Sequence, residues 1–199
     1  MRSVIVCNIM SIDGYYEGPG SNVMALNMDE AFDAYNLERI RNAGTVLLGR
    51  TSYDGFSSYW PGVVDAPPDP ANRALSDDNR ELSRIYNGLE KVVVTDRDAP
   101  ADDNPWHDTT TTIRRDGVED WLAQARVRDT GDILIFGSRT MWHGLLRQGQ
   151  VDELHLMVGP RALGGGTPMF AETAGLTLLD TRRFEGSDNV LLRYAPARR

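Results

Sequence analysis

Three short segments that contain arginine together with glycine or hydroxyl-bearing residues lie where an apolar strand pattern ends. They are Gly49-Arg50-Thr51 after TVLL, Thr95-Asp96-Arg97 after KVVV, and Gly137-Ser138-Arg139-Thr140 after ILIF. A helix that begins at such a turn points unpaired N–H groups and partial positive charge at whatever lies there. Phosphate binds well at these positions, and arginine adds a planar, charged donor. The segments therefore predict anion-binding turns, although from spacing alone Arg50 paired with a surface carboxylate is an equally good interpretation.

The elements that position these turns follow from hydrophobic patterning. Short runs rich in Val, Ile and Leu, bounded by Gly, Asp or Pro, are typical of strands covered on both faces. They lie at residues 3–10, 45–48, 91–95, 132–136, 153–158, 176–184 and 190–194. Helical patterns lie between them at residues 28–43, 70–86, 118–127 and 139–147, and a short helix begins near Thr51. This alternation predicts an α/β sheet that is parallel at its centre, and the short link EGSDN predicts an antiparallel C-terminal hairpin.

Composition narrows the class of protein. The chain has 199 residues, 41% hydrophobic and 25% charged, which predicts one folded domain over residues 1–199. Its net charge of −8 argues against nucleic acid or an acidic membrane surface as a partner. The sequence shows neither an apolar run of roughly 18 residues nor a signal-peptide pattern, so we expect a cytoplasmic protein.

Several chemistries are disfavoured by residue usage. Lys91 is the only lysine, so there is no phosphate-binding loop that ends in Gly-Lys. Cys7 lies within the apolar run VIVCNIM, and we expect a buried, inert thiol. One cysteine and three scattered histidines show no metal-ligand spacing, so we expect no metal site. The acidic segment 96–116 is interpreted as a solvated loop, and the glycines at 164–166 as a loop that either offers amides to phosphate or connects two strands.

Four landmarks carry a resemblance to a known family. They are SIDGYYEG, VLLGRTSYDGF, IFGSRTMWHGLL and VDELHLMVGPRALGGGTPMF, in that order. The chain resembles the dihydrofolate reductase superfamily, most closely the branch that contains the reductase domain of the bifunctional riboflavin-biosynthesis deaminase-reductase. The resemblance implies a three-layer α/β fold, with helices on both faces of a mixed, mostly parallel sheet that ends in an antiparallel hairpin. It also implies a homodimer.

The same resemblance implies a binding site for NADPH. It assigns to the cofactor Ile9, Gly49, Arg50, Thr51, Thr95, Arg97, Gly137, Ser138, Arg139 and Thr140. Ser138 stands where the family often has a second glycine, and because backbone amides are the expected donors there, its side chain is predicted to be dispensable. Asp96 repels a phosphate but suits an unphosphorylated ribose, so the choice between NADPH and NADH stays open.

For the substrate, the resemblance points to Asn8 at the close of the first strand, to the loop at Asp13-Gly14, and to Asp33. An ordinary turn is the alternative for Asp13-Gly14. Asp33 lies sixteen residues before Gly49, the spacing at which dihydrofolate reductases carry the carboxylate that binds the pterin ring. Glu30, one turn earlier, is the rival candidate, and a solvated helix acid is the alternative for both.

These features predict an NADPH-dependent oxidoreductase that transfers hydride to a pyrimidine or pteridine-like small molecule. Reduction of 5-amino-6-(5-phosphoribosylamino)uracil in riboflavin biosynthesis is the reaction that the resemblance suggests. Asp33, or a water that it holds, is the candidate proton route. Dihydrofolate reduction and nucleotide binding without turnover remain as alternatives.

Overall fold

The structure, a computed structural model, describes residues 1–67, 69, 71–128 and 130–197. Its strands are β1 (Val4–Met10), β2 (Tyr15–Glu17), β3 (Ala43–Gly49), β4 (Glu90–Val94), β5 (Thr110–Ile113), β6 (Asp132–Phe136), β7 (Glu153–Val158), β8 (Thr167–Pro168), β9 (Leu176–Arg183) and β10 (Val190–Pro196). Its α-helices are α1 (Glu30–Arg41), α2 (Arg50–Asp65), α3 (Asp77–Gly88), α4 (Val118–Ala125) and α5 (Arg139–Arg147).

Eight strands form one mixed sheet in the order β5-β4-β3-β6-β1-β7-β10-β9. The pairs from β5 through to β7 are parallel, and β10 pairs antiparallel with both β7 and β9. This architecture confirms the predicted α/β fold with an antiparallel hairpin at its carboxyl end. A separate pair, β2 with β8, joins the loop after β1 to the segment after β7.

The helices cover both faces of the sheet, and alternate side chains of β1 pack against different sets of helices. Val4 and Val6 of β1 pack with the apolar sides of α4 and α5, whereas Ile5 and Cys7 pack with those of α1, α2 and α3. Successive side chains of a strand point to opposite faces, so a strand covered on both sides needs apolar residues at every position. This is why the central strands could be recognised as continuous apolar runs.

The prediction of a solvated loop over residues 96–116 is wrong in its second half. Trp106 is 1% exposed and stacks on Tyr86 with ring centroids 4.9 Å apart. The following threonines form β5, which pairs with β4 at the edge of the sheet. Threonine is β-branched and suits an edge strand, but its polarity hid the strand from a search for apolar runs.

Other boundaries differ at particular residues. The short helix expected near Thr51 is α2, sixteen residues long, and it contains Pro61. The helix predicted at 70–86 begins at Asp77, and Pro70 lies outside the described residues. Within the part of the chain that the structure describes, no helix combines the length and apolar character that crossing a membrane requires.

Candidate functional site

At the carboxyl edge of the parallel strands β1 extends beyond β6, and the position next to β1 where β6 has ended is here called the opening. The two strands pair from Val4 opposite Ile133 to Cys7 opposite Phe136, where β6 ends. β1 continues to Met10 against β7 alone. The order β3-β6-β1 also places a late strand between two early ones, and α/β sheets bind ligands outside the carboxyl ends of their strands where the strand order reverses.

Two helices begin side by side at this edge, and hydrogen bonds join their first residues. The N–H of Gly49, at the start of α2, donates to Oγ of Ser138 at 3.0 Å. In return, the N–H of Ser138, at the start of α5, donates to Oγ of Ser52 at 2.8 Å. Two of the predicted turns are therefore parts of one structure. Ser52 was not among the predicted residues, and its only signal was a hydroxyl in the first turn after Gly49.

The turn at Gly137 and Ser138 is left-handed at both residues, with φ of 58° and 52°. Asn8 holds it, since its Oδ1 accepts from the N–H of Gly137 at 3.0 Å and its Nδ2 donates to the Gly137 carbonyl at 3.4 Å. A Cβ atom at Gly137 would lie 3.1 Å from Oγ of Ser52 and 3.2 Å from the hydroxyl of Tyr16. Asn8 therefore fixes the backbone of the turn, and position 137 has room for glycine alone.

The backbone amides of the turn divide into two groups. Those of Gly137 and Ser138 are used within the protein, whereas no acceptor among the described residues meets the N–H groups of Arg139 and Thr140. These two amides begin α5 and are oriented for an anion. The Arg139 side chain is partly committed, because its Nε donates to the carbonyl of Pro168 at 2.5 Å.

At the start of α2, Arg50 is held by two partners. Its Nε donates to both carboxylate oxygens of Asp54, at 2.8 and 3.0 Å, and its Nη1 donates to the carbonyl of Asp98 at 2.5 Å. The pairing of Arg50 with a surface carboxylate, left open by the sequence, is therefore present. Thr51 follows it and is exposed.

The segment after β4 lies near Arg50 through Asp98. Thr95 is buried, and its Oγ1 accepts from the N–H of Arg97 at 3.0 Å. Asp96 lies 3.2 Å from Arg115 and 3.8 Å from Arg114, so two arginines compensate its charge. Arg97 forms no ion pair with any residue that the structure describes.

The loop after β1 is fastened by Asp13. Its carboxylate accepts from Oγ of Ser11 at 2.6 Å, from the N–H of Leu163 at 3.0 Å and from the N–H of Gly164 at 2.7 Å. These hydrogen bonds, that of Ser11 above all, lower the pKa of Asp13 to about 2. Gly14 has φ of 87° and donates to the carbonyl of Ser11, so a turn is also present.

The glycine-rich loop packs closely against the protein. Gly164 gives its N–H to Asp13, and a Cβ atom at Gly166 would lie 2.1 Å from the carbonyl oxygen of Glu17. Nearby, Thr167 donates to Glu17 at 2.7 Å. The loop therefore connects β7 to β8 and closes on β2, which favours the structural interpretation over phosphate binding.

Asp33 is 8% exposed, on the side of α1 that meets α3. Its carboxylate forms an ion pair with Arg73 and accepts from Nδ2 of Asn79 at 2.9 Å. Burial raises the pKa of Asp33, and Arg73 opposes that rise. Glu30, the rival acid, is exposed. Asp33 shares no hydrogen bond with the joined turns, and Arg73 and Asn79 had no distinctive sequence signal.

Ile9 contributes to the core with its side chain. It is 6% exposed and packs with Leu26, Tyr35 and Met157. Only its backbone, beyond the end of β6, is available at the opening. The structure therefore brings together Asn8, Gly49, Gly137 and Ser138 and leaves Asp13 and Asp33 in separate contacts.

Comparison with known proteins agrees with this architecture. The family model described as RibD C-terminal domain matches residues 2–192. The uncharacterised protein YyaP of Bacillus subtilis (strain 168) is 24% identical over 186 residues, which cover 92% of this chain and 89% of YyaP.

Two solved structures share the fold. One is the diaminohydroxyphosphoribosylaminopyrimidine deaminase/5-amino-6-(5-phosphoribosylamino)uracil reductase of Thermotoga maritima, with a TM-score of 0.64, 14% identity and coverage of 98% of this chain and 57% of that one. The other is dihydrofolate reductase from Enterococcus faecalis complexed with NADP(H) and RAB-propyl, with a TM-score of 0.59, 15% identity and coverage of 98% and 96%.

Proposed function

The chain belongs to the RibD C-terminal domain family, and we propose that it is an NADPH-dependent reductase that transfers hydride to a pyrimidine or pteridine-like substrate. The observation that carries the proposal is the junction of two helix starts at Gly49 and Ser138 beside the opening between β1 and β6. Phosphate groups of a dinucleotide suit such a junction. NADP(H) is also what the dihydrofolate reductase of E. faecalis contains.

The residues present fit a nicotinamide dinucleotide. Gly137 lets the turn pack against Ser52 and Tyr16 without a Cβ atom between them, and the turn then leads into the amides at the start of α5. The N–H groups of Arg139 and Thr140 would be the donors for the pyrophosphate, and Arg97 would supply a cation for an adenosine phosphate. The compensation of Asp96 by arginines removes the main electrostatic objection to a 2′-phosphate.

The chain's own residues would position the nicotinamide, shield it from water and supply a proton to the substrate. A bound reduced nicotinamide supplies the hydride. The backbone of residues 8–10 beyond β6 would orient the ring, and the loop that Asp13 fastens would help to exclude water from it. Asp33 holds a proton more readily than a solvated acid does, because burial raises its pKa. It would pass that proton, directly or through water, to the acceptor heteroatom of the substrate.

A buried acid with a raised pKa is a feature of catalytic sites, and it supports turnover over mere nucleotide binding. We propose 5-amino-6-(5-phosphoribosylamino)uracil as the first substrate to test, because the T. maritima protein is named as a reductase of that compound. The homodimer stays a prediction.

The test begins with titration of NADPH and NADH against the fluorescence of the four tryptophans. Loss of reduced-nicotinamide absorbance then follows turnover with the aminouracil and with dihydropteridines. Gly137→Ala should weaken NADPH binding at least about tenfold, because a methyl group pressed against Ser52 and Tyr16 would shift the turn that leads into the amides of Arg139 and Thr140.

Gly149→Ala is the matched control. Gly149 follows the same helix, has φ of 69°, and has open space around the position of a Cβ atom. It should bear the same backbone strain and keep NADPH affinity within about twofold. A folded Gly137→Ala protein that binds NADPH like the parent would remove the cofactor from this turn.

A further inference from the structure

Asp54 is the only carboxylate that pairs with Arg50 among the described residues, and it lies one helical turn after it on α2. We infer that Asp54 determines how strongly the chain prefers NADPH over NADH. The inference rests on the proposed function, because it concerns the adenosine end of the same cofactor. It assigns a specificity role to an acid that lies outside the predicted site.

Asp54 and Asp96, the acids that form ion pairs with arginine at this end, differ in what compensates them. Asp96 lies near two arginines, Arg114 and Arg115. Asp54 pairs with Arg50 alone, so the pair has almost no net charge and attracts an approaching phosphate only weakly. Arg97 remains as a cation without a carboxylate partner in the described part of the chain. Removal of the Asp54 charge would therefore make the surroundings of Arg50 more positive by one unit charge.

Arg50 can keep Asp54 and still meet a phosphate. Its Nε is used by Asp54 and its Nη1 by the carbonyl of Asp98, while its Nη2 donates to no described residue. Asp54 therefore does not block the guanidinium. It acts through charge, because a carboxylate close to a guanidinium weakens the attraction of that guanidinium for a second anion.

This charge distinguishes the two cofactors. The 2′-phosphate of NADPH carries up to about two negative charges and feels Asp54 strongly, whereas the 2′-hydroxyl of NADH is neutral and feels it little. The side chain of Asp54 is 50% exposed, so salt screens its effect. If Asp54 acts through its charge, its removal changes NADPH binding in one direction; if it acts by positioning Arg50, its removal changes NADPH binding in the other. Loss of charge strengthens NADPH binding, whereas loss of a group that merely orients Arg50 weakens it.

The experiment measures dissociation constants of both cofactors for the parent and for Asp54→Asn by tryptophan fluorescence. Asparagine keeps an oxygen that accepts from Nε of Arg50, so orientation is largely preserved while the charge is lost. We expect NADPH to bind about 3- to 10-fold more tightly and NADH to change less than about twofold. The gain should shrink when ionic strength rises from about 0.05 to about 0.5 M.

Glu81→Gln provides the control. Glu81 forms a similar exposed pair with Arg41, at 2.9 and 2.7 Å, between α3 and α1. Its loss makes the same change in net charge away from the carboxyl edge, so both affinities should stay within about twofold of the parent.

Tighter NADPH binding in Asp54→Asn alone supports the inference. Weaker NADPH binding, an equal change for both cofactors, or a gain of the same size in Glu81→Gln overturns it and leaves the proposed reductase function intact. A parent protein that binds neither cofactor overturns both.

Discussion

The hydroxyl of Tyr35 lies 2.8 Å from Nδ1 of His155, which is 1% exposed. The other ring nitrogen, Nε2, lies 2.8 Å from a carboxylate oxygen of Glu153, and Arg193 donates to the same oxygen at 2.8 Å. A carboxylate only accepts hydrogen bonds, so Nε2 carries the proton and Nδ1 accepts from the Tyr35 hydroxyl. A neutral histidine therefore connects α1 to β7.

Stability should fall as the medium becomes acidic, because His155 is buried in its neutral form. Burial lowers the pKa of His155, and Glu153 opposes that shift only in part. The unfolded chain, with an ordinary histidine pKa of about 6.5, then binds more protons than the folded one. The free energy of unfolding should decrease as pH falls from about 7 through 6. Urea unfolding followed by tryptophan fluorescence at several pH values measures it.

Two variants identify the group responsible. Tyr35→Phe removes a hydrogen bond and should lower the free energy of unfolding by about 1 to 2 kcal/mol at every pH in that range. His155→Gln should instead flatten the pH dependence. His143, whose pKa is also lowered chiefly by burial, contributes in the same direction, so some slope remains. An unchanged slope in His155→Gln would assign the effect to His143 or elsewhere.

The side chain of Ser138 has a structural role, which is separate from the prediction that cofactor binding can dispense with it. Ser138→Ala leaves the N–H of Gly49 without its acceptor and should cost about 1 kcal/mol of unfolding free energy. Ser138→Gly loses the same hydrogen bond but relieves a left-handed backbone at φ of 52°, worth about 1 kcal/mol. The glycine variant should therefore be the more stable of the two in urea unfolding. Equal stability would mean that the turn relaxes without strain.

Local sequence patterns were sufficient to predict those elements whose ends are determined by the residues at and next to the ends. The strand at 132–136 and the helix at 139–147 were predicted to the residue, because an apolar run meets a glycine turn and an amphipathic segment follows. β5 was missed because an edge strand of threonines shows no apolar run, and its pairing with β4 decides its state.

The site divides in the same way. Glycine turns at the ends of strands could be located from the sequence, and the structure joins two of them. The hydrogen-bond partners of the site residues could not be located in this way. Ser52 contacts Ser138, and Arg73 contacts Asp33, only after the helices pack. Such contacts between helices depend on tertiary packing, which spacing along the chain does not encode.

Asp13 should control the order of the loop after β1 and of the segment at Leu163 and Gly164. Asp13→Ala removes the acceptor for the N–H groups of Leu163 and Gly164, so their hydrogen exchange should accelerate by about tenfold or more. Since its pKa of about 2 lies below the ordinary value, the carboxylate stabilises the fold above about pH 4, and this contribution is lost as pH falls towards 2.

Ser11→Ala is the milder comparison for Asp13, because it removes one donor and leaves the carboxylate bound to both amides. Exchange at Leu163 and Gly164 should then rise less than in Asp13→Ala. If both variants exchange like the parent, other contacts, such as the pairing of β2 with β8, hold the loop.

Variants of Asp33 and of its partner Arg73 test whether Asp33 relays a proton during turnover. Asp33→Asn keeps the shape of the side chain but cannot relay a proton, so turnover should fall by about 10²-fold while NADPH affinity stays within about threefold. Arg73→Gln removes the cation that opposes the raised pKa of Asp33, so the pH profile of turnover should move to higher pH. A structural acid would give no such movement. Parent-like turnover in Asp33→Asn would exclude it from the proton route, which would then run through Glu30, Asp13 or solvent.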